Sequence, residues 1–157
     1  MTDILGLTTT DKVRAIWGVT QSELSDAMLV ALDLEDLLTL ELTVLTLDHA
    51  TIKTEGTVGT PTTAQITPWL LLKRFSACFC AVQATSSIRL AIPQKRSDGN
   101  NAFSRFQGDI LEQTCADVSS AYLAAKSDLL DEAGLTPVAA SLLATATEPS
   151  YDPVVGE

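Results

Sequence analysis

Apolar residues recur along this chain at intervals of three and four, the spacing that puts side chains on one face of a helix. Thr9 and Thr10 precede Asp11, then Val13, Ile16 and Trp17 fall at helical spacing before Gly18, which predicts a short first helix with a glycine stop. Thr20-Gln21-Ser22-Glu23 has the capping-box form and predicts a new helical turn immediately afterwards. Between Asp33 and Leu47 two patterns overlap. Leu34, Leu37, Leu38, Leu42 and Leu45 suit one helical face, whereas Leu38, Leu40, Leu42 and Val44 alternate as a strand would. Leucine content and the early Glu35 and Asp36 favour the helix, although Thr39, Thr43 and Thr46 pull the other way.

Residues 48–63 form a Thr/Gly stretch with Gly56, Gly59 and Pro61, which reads as a loop or small hairpin rather than a helix. A long helix follows, starting near Thr67-Pro68 or, if it starts near Pro61, bent at Pro68. Its core side is Trp69, Leu72, Phe75, Phe79, Val82 and Ile88, with Lys73 and Arg74 at the rim. Pro93 ends it, and the polar run from Gln94 to Asn101 offers a turn with an asparagine cap for a last helix running to Gly134. That helix carries Phe103, Phe106, Ile110, Cys115 (or Thr114), Val118, Ala121, Tyr122, Ala125 and Leu129 on its apolar face.

These elements predict an all-α fold, a long antiparallel helical hairpin with short N-terminal helices packed across it. The expected division is a helical domain over residues 1–134 and an extended C-terminal arm over 135–157. The arm contains Pro137, Pro149 and Pro153, and its apolar Val138, Leu142, Leu143, Val154 and Val155 suggest contacts with a neighbour. A frayed terminus is the plainer alternative.

Composition changes the picture in two ways. At 157 residues with 46% apolar but only 5% aromatic residues, the chain has the makings of one aliphatic core. The net charge of −10 is unevenly distributed: residues 1–52 hold nine acidic and two basic residues, 53–106 two and seven, and 107–157 nine and one. Such a partition favours association through complementary faces and opposes ordinary nucleic-acid binding. The basic set Lys73, Arg74, Arg89, Lys95, Arg96 and Arg105 has no interleaved aromatics, so docking on an acidic protein surface is the better reading than base stacking.

Candidate chemistry is sparse. Three cysteines, Cys78, Cys80 and Cys115, and a single histidine, His49, do not make a four-ligand zinc set. No Gly-x-Ser-x-Gly, P-loop or Gly-x-Gly-x-x-Gly motif occurs, and the acidic pairs Glu35-Asp36 and Asp131-Glu132 read as solvated helix faces. The reading is therefore of a non-enzyme without metal or cofactor. No signal peptide is visible, and the most apolar stretch, Trp69 to Ile92, is interrupted by Lys73, Arg74 and Arg89 and falls short of the roughly 20 residues a spanning helix needs, so no membrane partner is expected.

The opening Thr9-Thr10-Asp11-Lys12-Val13-Arg14-Ala15-Ile16-Trp17-Gly18-Val19-Thr20, the acidic Leu-rich segment from Asp33 to Leu45 and the order of helices resemble head-to-tail connector, or adaptor, proteins of tailed bacteriophages over roughly residues 8–133. The resemblance implies a structural virion protein, assembled in the host cytoplasm, forming a homo-oligomeric ring usually of about twelve copies beneath the portal protein. It also implies a downstream neck or tail partner and a channel through which DNA passes without specific binding. On that reading part of Glu35, Asp36, Glu41, Asp109, Glu112 and Asp117 faces the lumen, and the basic set makes inter-subunit or portal contacts. A soluble helical regulatory or antitoxin-like binding module is the alternative.

Overall fold

The computed structural model describes residues 2–91, 96–97, 102–103 and 108–135. Within them the chain is mostly helical. β1 (Asp3–Ile4) and β2 (Thr8–Thr9) pair antiparallel, with Asp3 opposite Thr9, and lead into α1 (Thr10–Trp17). There follow α2 (Asp26–Val30), α3 (Leu34–Val44), α4 (His49–Thr57), α5 (Thr63–Gln83) and α6 (Thr85–Ala91). A second two-strand pair, β3 (Arg96–Ser97) with β4 (Ala102–Phe103), precedes α7 (Gly108–Glu132).

The first helix forms as its sequence dictates. Thr9 caps the amide of Lys12, and Gly18 closes the end at φ 64°, where a side chain would be strained. Half of the expected capping box at Thr20 forms: the Thr20 amide donates to Glu23 at 2.8 Å, but the Glu23 amide donates to the Thr20 carbonyl at 3.1 Å, and no helix grows from it. Leu24 is buried and its carbonyl accepts from the Arg14 guanidinium at 3.1 Å. That carbonyl is the acceptor Met28 would use in a continuous helix, and the Met28 amide goes instead to the Ser25 hydroxyl, which caps α2.

Over residues 33–47 the helix wins. Leu34, Leu38 and Leu42 are buried on one side of α3, and Thr39 and Thr43 satisfy their hydroxyls on the carbonyls four residues back, at 2.8 Å each. Residues 48–63 depart from expectation, because α4 occupies most of what reads as a loop. Asp48 caps it by accepting from the Thr51 amide at 3.1 Å, and Thr54 and Thr57 bond back to carbonyls within the helix. Gly56 is not a breaker here: a Cβ at this position would lie 2.4 Å from the Trp69 Cβ, so glycine lets α4 and α5 approach closely.

α5 takes the earlier of the two anticipated starts. Thr62 and Gln65 form a capping box, and Pro68 lies inside the helix. The single helix expected as far as Pro93 is divided at Ala84. The Trp17 indole donates to the Ala81 carbonyl at 2.9 Å, taking the acceptor that residue 85 would need to continue α5. The last helix starts later than expected, at Gly108, and Phe103, expected on it, pairs instead with Arg96 in the β3–β4 ladder, while the polar residues 98–101, expected to cap it, lie outside the described residues.

The core is aliphatic with a small aromatic centre. Trp69, Leu72, Phe75, Phe79 and Ile88 are buried, as are Val118, Tyr122, Ala125 and Leu129 of α7. Phe75 and Phe79 stand 5.8 and 6.0 Å from the Tyr122 ring. Ile110, assigned to the apolar face of the last helix, is 51% exposed, and Leu111 next to it is buried instead. Phe106 and the arm residues Val138, Leu142, Leu143, Val154 and Val155 lie outside the described residues.

Candidate functional site

Among the described residues no three histidine, cysteine or carboxylate side chains come together as a metal site, and no helix is long and apolar enough to cross a membrane. Cys78 and Cys80 are free and buried, and burial pushes the Cys80 thiol up to about 12, which keeps it protonated and a poor nucleophile.

Buried polar groups instead build structure. Arg14, 3% exposed, donates to the Leu24 carbonyl, to Asp26 at 2.8 Å, to the Thr10 hydroxyl at 3.2 Å and to Asp11, tying α1 to the turn before α2. Lys53 reaches from α4 to the Leu5 carbonyl at 3.1 Å and holds the β1–β2 turn against that helix. Tyr122 and Lys126 of α7 both donate to Glu41 of α3, at 2.9 and 2.8 Å. Burial, with the Glu41 carboxylate as acceptor, holds the Tyr122 phenol above its ordinary range.

A cleft of about 270 Å³ opens between the N-terminal strand β1 and the start of α3. Its lining includes the carboxylates Asp3, Asp33, Glu35 and Asp36, beside Ile4, Leu29, Val30 and Leu34. Asp33 stands at φ 48° before α3 and makes no side-chain cap. The cleft presents negative charge against an apolar floor, an arrangement that repels anions.

The acidic residues singled out from the sequence differ in their placement. Glu35 and Asp36 are exposed in the first turn of α3. Glu41 is turned inward onto α7 and engaged by two donors, which distinguishes it from its expected group. Glu112 and Asp117 are exposed on α7, where Asp117 accepts from Gln113 at 2.9 Å. Five residues apart, they point in directions about 140° apart around that helix. Asp109 belongs to α7, with its side chain outside the description.

Of the basic set, Lys73 is half-buried with its ammonium 5.2 Å from the Trp69 ring centroid, and Arg74 is paired with Asp128 at 2.9 Å across to α7. Arg89 falls in α6 and Arg96 in β3 without described side chains, while Lys95 and Arg105 lie outside the described residues.

Sequence reading missed the surface apolar residues. Leu37, Leu40 and Val44 on α3 are 37%, 61% and 50% exposed, Leu123 on α7 is 62%, and Ile66 and Leu70 on α5 are 36% and 54%. The signal was present: α3 has leucines on more than one face, an excess a single buried stripe does not need. No family model, no curated protein and no solved structure matches the chain.

Proposed function

We propose that the chain is a structural subunit of a tailed-phage head-to-tail adaptor, a ring below the portal that joins capsid to tail and lines the DNA channel. The observation that carries the reading is the set of large apolar side chains left exposed on the outer faces of α3, α5 and α7 of a chain with net charge −10. Exposed leucines in the company of so much charge are what a subunit shows before its neighbours cover them.

The subunit frame on this reading is the α5–α7 pair as an antiparallel hairpin, crossed by the N-terminal helices, with residues 135–157 reaching a neighbour. Unpaired carboxylates such as Glu35 and Asp36 suit a wall past which DNA slides, since they give phosphate nothing to hold. Many weak lateral contacts, repeated around a ring, add to a stable whole.

The test is co-sedimentation with portal-bearing capsids. The adaptor reading expects a saturable layer of several copies per capsid vertex. Protein that stays in the supernatant at saturating concentration refutes it. The exposed leucines also suit a small helical module that binds one protein partner, and a strict monomer or dimer that never joins capsids would favour that second reading.

A further inference from the structure

We infer that in the free subunit the uncharged segment 136–147 folds back in cis over the exposed row Ile66–Leu70 on α5, a contact that holds whether or not the chain is an adaptor.

The row is placed by the register of α5 against α7. Arg74 meets Asp128, and Phe79, further along α5, meets Tyr122, nearer the start of α7, so the two helices run antiparallel. Ile66, Leu70 and Arg74 are spaced by four and share one flank of α5, which the pair with Asp128 sets beside α7. Four residues before Arg74 and four after Asp128, Leu70 comes level with Glu132, the last residue of α7. Ile66, about one turn further back, is level with the point where the chain leaves that helix.

The exit itself is fixed. Gly134 stands at φ 67°, its amide donates to the Asp131 carbonyl at 3.1 Å, and the Leu135 amide donates to the Leu130 carbonyl at 2.9 Å. This paired bond pattern ends a helix and turns the chain off its axis, and Leu135 packs against the core as it does so. The next twelve residues, from Thr136 to Thr147, carry no charge in a chain that is 19% charged, and they include Val138, Leu142 and Leu143. An uncharged apolar stretch is thus delivered to the edge of an uncovered apolar row. Twelve residues can span about 40 Å, whereas Ile66 and Leu70 are only about 6 Å apart along α5.

Tethering selects the occupant. A segment attached beside the row has an effective concentration of about 1 mM, against which a second copy at roughly micromolar concentration competes poorly. The exposed Leu37, Leu40 and Val44 of α3 lie where Glu41 joins Tyr122 and Lys126, more than two turns of α7 before Gly134, and remain for a partner. In the free chain the arm is therefore held in cis. It reaches a neighbour only by leaving α5, which uncovers Ile66 and Leu70 at the same moment.

Thiol alkylation of the full chain in a Cys115→Ser background tests this, since Cys78 and Cys80 are buried. Leu70 and Leu40 are 54% and 61% exposed, so without a cover Leu70→Cys and Leu40→Cys react with a maleimide at similar rates. The cis contact predicts that in dilute protein Leu70→Cys reacts about tenfold more slowly than Leu40→Cys. Adding Leu142→Asp and Leu143→Asp to Leu70→Cys restores the rate, because the segment would then have to desolvate carboxylates to stay in place. Equal rates for the two single variants overturn the contact. Protection that is lost on dilution also overturns it and gives the row to a second copy, and protection that survives the substitutions at 142 and 143 gives it to another part of the chain. None of these results bears on the adaptor reading, which stands or falls by co-sedimentation with capsids.

Discussion

At the scale of single residues, two positions decide more than their types suggest. Arg14 is buried and holds four acceptors from α1 and the following turn. Arg14→Ala would leave the Leu24 carbonyl without its donor and remove one donor from the partly buried Asp26, costing about 3 kcal/mol, read as a lower denaturation midpoint at unchanged slope. Gly56 faces Trp69 at a distance no side chain tolerates, so Gly56→Ala, ordinarily helix-favouring by about 1 kcal/mol, should instead destabilise by roughly 1–3 kcal/mol. An unchanged or raised melting temperature for that variant would show that α4 and α5 can part cheaply. The sequence displays both residues, but not their roles. Nothing in the spacing around Arg14 marks it as buried, and Gly56 reads as a loop residue, because burial and helix–helix approach are tertiary facts.

At the scale of elements, legibility followed the strength of the periodic signal. α1, α3 and the core side of α5 are written in leucines and aromatics at helical spacing, and they form as the pattern requires. α4 escaped because threonine and glycine argue against a helix until the Asp48 cap and the Trp69 contact are taken together. The division between α5 and α6 escaped because its cause, the Trp17 indole on the Ala81 carbonyl, comes from 64 residues away. Trp17→Phe should therefore free that carbonyl and lower stability by about 1–3 kcal/mol, with the loss of amide-exchange protection centred on residues 81–88. The cap of α4 gives a pH signature. The Thr51 amide and then its hydroxyl hold the Asp48 carboxyl below the usual carboxylate range, so its contribution is complete above the unfolded value near pH 4 and is lost as pH falls through the folded one. Amide exchange in α4 should accelerate on acidification in the parent and much less in Asp48→Asn, which keeps an acceptor but does not titrate there. Equal pH dependence in both would assign the effect to another group.

At the scale of the whole molecule, the charge partition of the sequence favours association, and among the described residues the structure engages one member of each charged set inside the subunit. Glu41, expected to face the lumen, and Arg74, expected at inter-subunit or portal contacts, are engaged inside the subunit by Lys126 with Tyr122 and by Asp128. The exposed apolar side chains include Leu37, Leu40 and Val44 on α3, Ile66 and Leu70 on α5 and Leu123 on α7. That arrangement predicts weak, concentration-dependent self-association in solution. Leu40→Asp, at an exposed position, should abolish it while leaving the unfolding free energy within about 0.5 kcal/mol of the parent's. The measurement that bears most directly on the account is electron microscopy of portal-bearing capsids saturated with the protein. The account predicts a closed ring of density beneath the portal, absent with Leu40→Asp. Capsids without added density would contradict it.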